Sequence, residues 1–344
     1  MRKITGIMLF ICVLLLTGSL PDVQAATQTP AEQIAAQLAA RKASFSLTLP
    51  NVKQAETIFK QAMQTDEYTG MVVKSYTVRT TGVAGEKKGK ATYEVVYLES
   101  KAQSDYVTKQ AKAIVAKLTT SKMNDFQKQK VLHDYIATHV SYDDSLSKYT
   151  AYEALKTGSA VCQGYALLTY RLMQEAGIPV HIVSGTVSTG LHAWNKMMLG
   201  GQWYNVDTTW NSQKTGVDYR YFNVTDAALK RDHAWKANGL PAATTDYRAA
   251  LKALIQAKDK YSIAYQAILK ELGEQAATVQ EAINVINNAI ANKQKSVKFT
   301  YVYSKRNLKK DVQAMMNGQE GAKSVSISYS YSNGQATIEA TLAY

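Results

Sequence analysis

Alternating and helical patterns of apolar residues predict a small module near the start of the chain. Ser44 to Leu49 alternates polar and apolar residues like a half-buried strand, and Val52 to Gln64 has helical spacing. Strand-like runs follow at Met71 to Thr80 and Ala91 to Leu98, joined by a turn rich in Gly and Lys. The pattern therefore predicts a β-α-β-β module over residues 43–100.

The same order of elements recurs at the C-terminus. Ser296 to Tyr303 alternates like a strand, Asn307 to Met316 has helical spacing, and two more strand-like runs flank an Asn333-Gly334 turn. We therefore predict a second β-α-β-β module over residues 296–344, as an internal repeat of the first. Short alternating strands also resemble one another by chance, so coincidence is the alternative.

The region between the modules is first helical and then strand-like. Helical spacing occurs in Ser104–Leu118, Asn124–His139 and Cys162–Ala176. Strand-like runs follow at Pro179–Val187, His192–Leu199 and Gln202–Asp207. These patterns predict an α+β domain over residues 101–240. A helical linker region is expected over residues 241–295, with helices from about Asp246 to Ala257 and from Ile263 to Lys293.

A Gly200-Gly201 pair lies between the last two strand-like runs and predicts a tight hairpin, because both positions can adopt positive φ. In this register His192 is expected to face Thr209, with Asp207 two residues back on the same face. Diagonal neighbours of this kind have Cβ atoms ~7–8 Å apart or a little less, which lets a carboxylate reach an imidazole nitrogen. A register shift of one residue would place the two groups on opposite faces of the hairpin.

The first residues have the pattern of a secretory signal peptide. Arg2 and Lys3 precede an apolar run from Ile7 to Leu16, and small residues follow. The run has about half of the ~20 residues that a membrane anchor needs. We therefore predict a signal peptide over residues 1–25, export to the exterior or the cell envelope, and no transmembrane anchor after cleavage. A linker is expected over residues 26–42, with a frayed helix as the alternative.

The charge balance narrows the class of partner. The chain has 40 Lys and Arg against 27 Asp and Glu, a formal net charge of +13. Such a balance favours anionic partners, which outside a cell include an anionic cell-wall polymer. The Lys residues are scattered, which is also typical of a solvated basic surface. No nucleic-acid motif is present in the sequence, so a nucleic-acid partner is not expected.

The cysteine usage points to a reactive thiol. Cys12 lies in the apolar run and is expected to leave with the signal peptide, so the mature chain keeps Cys162 alone. A lone cysteine can be a small buried hydrophobe. Cys162, however, lies where a helix is predicted to begin, and the helix dipole and a nearby imidazolium favour the thiolate there. The N–H groups of the first turn could also stabilise an oxyanion near the sulfur.

Cys162, His192 and Asp207 supply, in this chain order, the parts of an acyl-transfer site. The thiolate attacks, the imidazole moves the proton, and the carboxylate holds the imidazole in the useful tautomer. A retired site that keeps its shape is the alternative. Other sequence patterns add no cofactor and no metal site, because no cluster has zinc spacing and no Gly-rich phosphate loop is present.

The motifs around these residues resemble the bacterial branch of the transglutaminase-like superfamily. They are Ala151-Tyr152-Glu153-Ala154-Leu155, Ala160-Val161-Cys162-Gln163-Gly164-Tyr165, His192-Ala193-Trp194-Asn195, Trp203-Tyr204-Asn205-Val206-Asp207-Thr208-Thr209-Trp210 and Tyr221-Phe222-Asn223-Val224. The stretch around Asp232-His233 extends the resemblance, and His233 is expected to be structural.

The resemblance implies an α+β fold with a papain-like transglutaminase core, in which a helix-borne cysteine packs against an antiparallel sheet. It assigns Cys162 as nucleophile, His192 as base and Asp207 as orienting acid. Gln163, Trp194 and Trp210 are candidates for substrate binding, with core packing the alternative for the two Trp residues. Animal transglutaminases place a Trp before the cysteine, whereas this sequence has none before Trp194, so the resemblance favours the triad over cross-linking.

Two functions are consistent with the sequence. In one, an exported cysteine enzyme acts on amide bonds of a protein or peptide through an acyl-thioester, by hydrolysis or by transfer to an amine. In the other, a non-catalytic envelope protein uses its basic surface and paired modules for binding, and the triad is a relic.

Overall fold

The computed structural model describes residues 28–214, 216–303, 307–332 and 335–344. The expected signal peptide with Cys12 and the expected Asn333-Gly334 turn lie outside these residues. Both therefore stay predictions from the sequence.

The N-terminal unit is a three-stranded antiparallel sheet with helices packed beside it. Its elements are α1 (Pro30–Ala39), β1 (Ser44–Leu49), α2 (Ala55–Thr65), α3 (Glu67–Met71), β2 (Val73–Gly82) and β3 (Gly89–Tyr97), with a 3-10 turn at Val52–Gln54. The strand order is β1-β3-β2, so the last strand is central. Its core includes the fully buried Leu49, Phe59 and Tyr93, because the alternation of each strand directs one set of side chains toward the helices.

Within residues 26–42, where a linker or a frayed helix is expected, residues 30–39 form the helix α1. Thr29 and Glu32 form a capping box at the start of α1, in which each side chain bonds the backbone N–H of the other residue. Ile34 and Leu38 are fully buried in the core of the N-terminal unit. These two apolar positions lie four residues apart on one helix face, so this segment is a packed helix.

The middle unit contains a long central helix packed on a second antiparallel sheet. Its helices are α4 (Lys101–Leu118), α5 (Asp125–His139), α6 (Ala151–Thr157), α7 (Cys162–Glu175), α8 (Thr208–Asn211), α9 (Asp226–Leu229), α10 (Tyr247–Gln256) and α11 (Ser262–Glu271), with a 3-10 turn at Tyr219–Tyr221. Its strands are β4 (Ser141–Tyr142), β5 (Ser159–Ala160), β6 (Val180–Val187), β7 (Gly190–Leu199), β8 (Gln202–Val206), β9 (Ser212–Gln213) and β10 (Gly216–Val217).

Helix α7 is the centre of this unit. It packs against β6 and β7 of the three-stranded sheet β6-β7-β8 on one side and against α4, α5 and α6 on the other. Leu167, Leu168 and Leu172 of this helix are fully buried. The helix therefore runs through the interior of the unit, and its first residue, Cys162, is half-buried.

The helices after residue 241 are part of two cores rather than a linker. Tyr247 and Leu251 of α10 and Tyr265 and Ile268 of α11 are buried in the core of the middle unit. The single helix expected from Ile263 to Lys293 is interrupted after α11, where Gly273 adopts φ 71° in the left-handed region.

The C-terminal unit is a four-stranded sheet with its own core. Its elements are β11 (Glu274–Ala276), α12 (Val279–Ala291), β12 (Ser296–Val302), α13 (Leu308–Asn317), β13 (Ser324–Ser332) and β14 (Gln335–Ala343). The strand order is β11-β12-β14-β13, and β11 is parallel to β12 while the other pairs are antiparallel. Apart from β11, the last strand is again central, as in the N-terminal unit. That the two units are copies of one module remains a prediction.

The chain thus has a mixed α and β architecture dominated by antiparallel sheets. Over the part of the chain that the structure describes, every helix is too short or too polar to cross a membrane.

Candidate active site

Cys162 is the first residue of α7. The preceding residue, Val161, is extended (φ −81°, ψ 174°) and makes no side-chain hydrogen bond to the helix start. The N–H groups of the first turn therefore have no side-chain cap from this position. Together with the positive end of the helix dipole, they favour negative charge at the half-buried Cys162 sulfur.

Short strands and backbone hydrogen bonds fix the start of α7. Strand β5 pairs in parallel with β4, and Tyr142 lies opposite Ala160. Beyond the pair, Val161 donates its N–H to the Lys148 carbonyl at 2.8 Å and Asp143 donates to the Ala160 carbonyl at 3.0 Å. Both ends of the loop between Asp143 and Lys148 are thereby fastened to the peptide group between Ala160 and Val161, directly before the cysteine.

Gly164 allows this close approach. A Cβ atom at Gly164 would lie 2.6 Å from the Cβ of Ala160 and 3.0 Å from the carbonyl oxygen of Thr150. Any side chain at this position would therefore push the first turn of α7 away from β5 and α6. The glycine keeps the cysteine in its place.

The hairpin of β7 and β8 has the register that the Gly-Gly turn predicts. Gly200 and Gly201 have φ values of 56° and 77°, and Asn195 lies opposite Val206. The expected pairing of His192 with Thr209 is wrong, because β8 ends at Val206 and the next residues form α8. Asp207 becomes the N-cap of α8, with its Oδ1 accepting the Trp210 N–H at 3.1 Å.

His192 and Asp207 nevertheless meet. The His192 Nε2 lies 2.7 Å from the Asp207 Oδ2, and both side chains are buried. Because an ionised carboxylate only accepts hydrogen bonds, Nε2 carries the proton in this contact. The second ring nitrogen, Nδ1, is then the one available to exchange a proton with a nucleophile.

The Cys162 thiol is close enough to His192 to affect its charge. Burial alone would lower the pKa of His192, but the Asp207 carboxylate, followed by the Cys162 thiol, raises it to about 10. Burial would likewise raise the pKa of Asp207, and the neighbouring His192 and His233 instead lower it to about 2. The arrangement therefore favours a His192 imidazolium beside an Asp207 carboxylate.

The three candidate substrate-binding residues have different surroundings in the structure. Gln163 donates its Nε2 to the Met71 carbonyl at 2.9 Å, so its amide bonds to the N-terminal unit. Trp194 is 1% exposed and lies in a core cluster, which favours the alternative of core packing for this residue. Trp210 is half-buried and its ring centre lies 5.5 Å from that of His192, so substrate contact remains a prediction for this residue.

Sequence reasoning placed His233 outside the site, but the structure brings it to Asp207. The His233 Nε2 lies 3.2 Å from the Asp207 Oδ2, and its Nδ1 lies 2.5 Å from the Asp232 Oδ1. His233 follows α9 and has no spacing relation to the hairpin. The adjacent Asp232-His233 pair, which extends the family resemblance, was the only feature of the sequence that pointed to this residue.

His192, Asp207 and His233 offer donor atoms within 4.8 Å of one another. Two imidazoles and a carboxylate are a donor set that zinc can use. Here both imidazoles lie at hydrogen-bond distance from the Asp207 carboxylate, so hydrogen bonds account for the arrangement. We assign no metal to the site.

Tyr142 and its loop form one rim of the site. Tyr142 is 46% exposed, and partial burial together with the charge of Cys162 raises the pKa of its phenol. Leu146 and Tyr149 in the same loop are exposed as well. The Asp143 carboxylate holds this loop by accepting hydrogen bonds from Ser145, Ser147 and Lys148.

Comparison with known proteins gives a family match for part of the chain. Residues 112–208 match the model of the family described as the transglutaminase-like superfamily. The chain is 27% identical over 133 residues to the kyphoscoliosis peptidase of Mus musculus, which covers 33% of this chain and 20% of that protein. It is 28% identical over 117 residues to the kyphoscoliosis peptidase of Homo sapiens, covering 29% of this chain and 18% of that protein.

The chain therefore spans only about a fifth of the length of these curated relatives. Among solved structures, the crystal structure of a TGase is 16% identical with a TM-score of 0.25, covering 38% of this chain and 43% of that one. A TM-score at this level adds nothing to the argument.

Proposed function

Because residues 112–208 match the model of the transglutaminase-like superfamily, we propose that the protein is a cysteine enzyme that acts on amide bonds of proteins or peptides through an acyl-thioester. Cys162 is the nucleophile, His192 the acid and base, and Asp207 the group that orients His192. The observation that carries the proposal is the 2.7 Å contact between His192 Nε2 and Asp207 Oδ2, which leaves Nδ1 for the thiol.

The first half-reaction follows from this arrangement. The proton of the Cys162 thiol passes to His192 Nδ1, and the thiolate attacks the carbonyl carbon of the amide to form a C–S bond. The negative charge that develops on the carbonyl oxygen is stabilised by the N–H groups at the start of α7. His192 then returns the proton to the departing nitrogen as the C–N bond breaks, which leaves the acyl group on sulfur.

The second half-reaction releases the acyl group. His192 Nδ1 removes a proton from water or from an amine as that molecule attacks the thioester, and the thiolate leaves and is restored to its starting state. Asp207 stays ionised throughout and stabilises the imidazolium in both halves. Water gives hydrolysis, whereas an amine such as a Lys side chain gives cross-linking.

We propose hydrolysis as the main outcome. The sequence has no Trp before Trp194, so the oxyanion-stabilising Trp of animal transglutaminases has no equivalent upstream of the cysteine. The curated relatives are named as peptidases, which supports the same outcome. Cross-linking is the second candidate.

The test compares wild type with Cys162→Ala on a mixture of peptides and on paired Gln and Lys substrates. Mass spectrometry separates the outcomes, because hydrolysis of a peptide bond adds water while transfer to an amine releases ammonia. We expect Cys162→Ala to lose the activity completely. Equal product in both proteins would rule the proposal out.

A non-catalytic envelope protein is the alternative, and the net charge of +13 is the observation that favours it. Export by the predicted signal peptide belongs to both functions. Alkylation by iodoacetamide separates them: we expect Cys162 to react at about pH 6, where an ordinary thiol with a pKa of ~8.5 is almost fully protonated. An inert thiol with salt-sensitive retention on cell walls would instead support the binding protein.

A further inference from the structure

A chain of buried hydrogen bonds continues beyond the triad. From His192 it runs through Asp207 Oδ2 to His233 at 3.2 Å, and from His233 to Asp232 Oδ1 at 2.5 Å. It ends at Tyr221, whose hydroxyl donates to Asp232 Oδ2 at 2.7 Å. The mechanism above uses only the first two groups of this chain.

The protons in this chain can be counted. Each ring nitrogen of His233 faces a carboxylate oxygen, and each contact needs one proton between nitrogen and oxygen. A neutral imidazole has one N–H, so it can satisfy only one of the two contacts. An imidazolium satisfies both and leaves Asp207 and Asp232 ionised.

Because the site is buried, the protonation state of His233 decides whether the neighbouring charges are compensated. The side chains of His233 and Asp207 are 0% exposed, and that of Asp232 is 14% exposed. An unpaired charge in such a place would be costly, whereas alternating charges at hydrogen-bond distance compensate one another. Burial lowers the pKa of His233, but the two carboxylates on either side outweigh it and the net shift is upward.

The backbone holds His233 in this position. The next residue, Ala234, exchanges two hydrogen bonds of 2.8 Å with Thr186 of β6. A Cβ at Gly185 would lie 2.3 Å from the Ala234 carbonyl oxygen, so a glycine is needed for this approach. The contact with Asp207 is therefore built into the fold.

We propose that His233 is a positioning residue of the active site: as a buried imidazolium between Asp207 and Asp232, it orients the Asp207 carboxylate and weakens the hold of His192 on its proton. The proposal rests on the proposed function for its catalytic meaning. It names residues outside the segment that matches the family model, which ends at residue 208.

The charges around His233 give the sign of its effect. Asp207 and Asp232 face it with negative charge, the His192 ring centre lies 5.4 Å away, and the Tyr221 ring centre lies 5.7 Å away. The positive charge of Arg220 interacts with Asp232 as well. An imidazolium at position 233 therefore repels the proton on His192 and reduces the negative field of Asp207.

Two variants remove that charge in different ways. His233→Gln replaces the ring by a neutral amide. Asp232→Asn keeps a hydrogen-bonding partner at Nδ1 but offers an N–H there, so that a neutral His233 can still donate from Nε2 to Asp207. In His233→Gln we expect the titration of His192 to move upward, on the order of one pH unit for a unit charge at this distance. In Asp232→Asn we expect a smaller upward shift, because the loss of the imidazolium, whose ring centre lies 5.4 Å from that of His192, is partly offset by the loss of the Asp232 carboxylate.

Histidine-selective ¹⁵N NMR on the full chain measures both predictions. In wild type, His233 should carry two ring protons at about pH 7.5, a full unit above the ~6.5 of free imidazole. In Asp232→Asn it should carry one. His181→Gln is the matched control, since His181 also pairs with a carboxylate, Glu67 at 2.6 Å, but is not connected to Asp207.

A neutral His233 in wild type at that pH would overturn the proposal, and so would an unchanged His192 titration in both variants. If His233→Gln fails to fold, Asp232→Asn still decides. The NMR readout does not require turnover, so it is independent of the proposed function. A shifted His192 titration without any acyl transfer would contradict the proposed reaction but would still support the positioning role of His233.

Discussion

Asp207 satisfies three hydrogen-bond donors with two oxygens. Its Oδ1 caps α8 through the Trp210 N–H, and its Oδ2 faces both His192 and His233. Because the cap fixes the carboxylate plane, Oδ2 is presented to the imidazoles in one orientation. A single residue thus joins the local structure of the chain to the geometry of the site.

The charged pair should make the stability of the protein depend on pH in a particular way. The pKa of Asp207 falls from 3.8 to about 2, so its contribution is present above 3.8 and is lost as the pH falls through 2. The pKa of His192 rises from 6.5 to about 10, so its contribution is complete below 6.5 and is lost as the pH rises through 10.

We therefore expect the difference in free energy of unfolding between wild type and Asp207→Asn to be largest between about pH 4 and 6.5, on the order of 2 kcal/mol. Urea unfolding across the pH range measures it. Asp218→Asn, which removes a carboxylate charge but keeps a capping residue at the 3-10 turn Tyr219–Tyr221, is the control and should show a flatter profile. A difference that does not vary with pH would contradict the assigned charges.

At the scale of residues, candidate chemical roles could be proposed from the sequence more easily than the packing of the side chains around them. Cys162, His192 and Asp207 could be selected because their types and order suit acyl transfer. The burial of Trp194 and the use of Gln163 on Met71 could not, since both depend on which surfaces pack together. His233 was missed for the same reason, because its partner lies 26 residues away along the chain.

The register of the β7–β8 hairpin was predicted correctly as far as Val206, but the structure after that residue was not. Positive φ at Gly200 and Gly201 fixes the register through Val206. Beyond that point the Asp207 side chain can cap a helix, and the local cap replaces the expected strand pairing. Such competition between a cap and a ladder is decided by packing, so the sequence pattern alone could not reveal it.

The start of α7 should not tolerate a side chain at Gly164. In Gly164→Ala the new Cβ would meet Ala160 and the Thr150 backbone at 2.6 and 3.0 Å. We expect the free energy of unfolding to fall by about 1–3 kcal/mol and the alkylation of Cys162 to slow, because the helix start must move.

Gln174→Ala on the exposed side of the same helix is the matched control. Urea unfolding and iodoacetamide alkylation measure both effects. If Gly164→Ala has the wild-type value in both measurements, the first turn of α7 can accommodate a Cβ at this position, which would contradict the predicted clash.

Separate hydrophobic cores organise the whole chain. The core of the middle unit includes Tyr68 and Val72 from the N-terminal unit. The same contact is reinforced by Glu67, which accepts the Ile182 N–H and pairs with His181. The C-terminal unit has a core of its own around Phe299 and Ile338, so the N-terminal unit is the more tightly coupled to the active site.

This difference predicts which core substitutions also affect the active site. Phe299→Ala should destabilise the C-terminal unit by about 3–5 kcal/mol and leave the alkylation of Cys162 unchanged. Leu167→Ala, in the middle of α7, should cost about 2–5 kcal/mol and change the alkylation as well. Thermal unfolding followed together with alkylation measures the two effects, and an equal loss of alkylation in both variants would contradict independent cores.

At the scale of the molecule, the pattern predicted the units better than their borders. Alternating strands marked both outer sheets and the middle hairpin. Helices were expected over most of residues 246–293, but the sequence did not show that α10 and α11 belong to the core of the middle unit and α12 to that of the C-terminal unit, because which surfaces pack together depends on residues that are distant in the sequence.

The most direct test of the account is the intact mass of the protein after reaction with an amide-mimicking electrophile. We expect wild type to gain one adduct, His192→Ala to gain it much more slowly, and Cys162→Ala to gain none. No adduct on wild type, or an equal adduct on Cys162→Ala, would contradict the claim that the thiol at the start of α7 is an activated nucleophile.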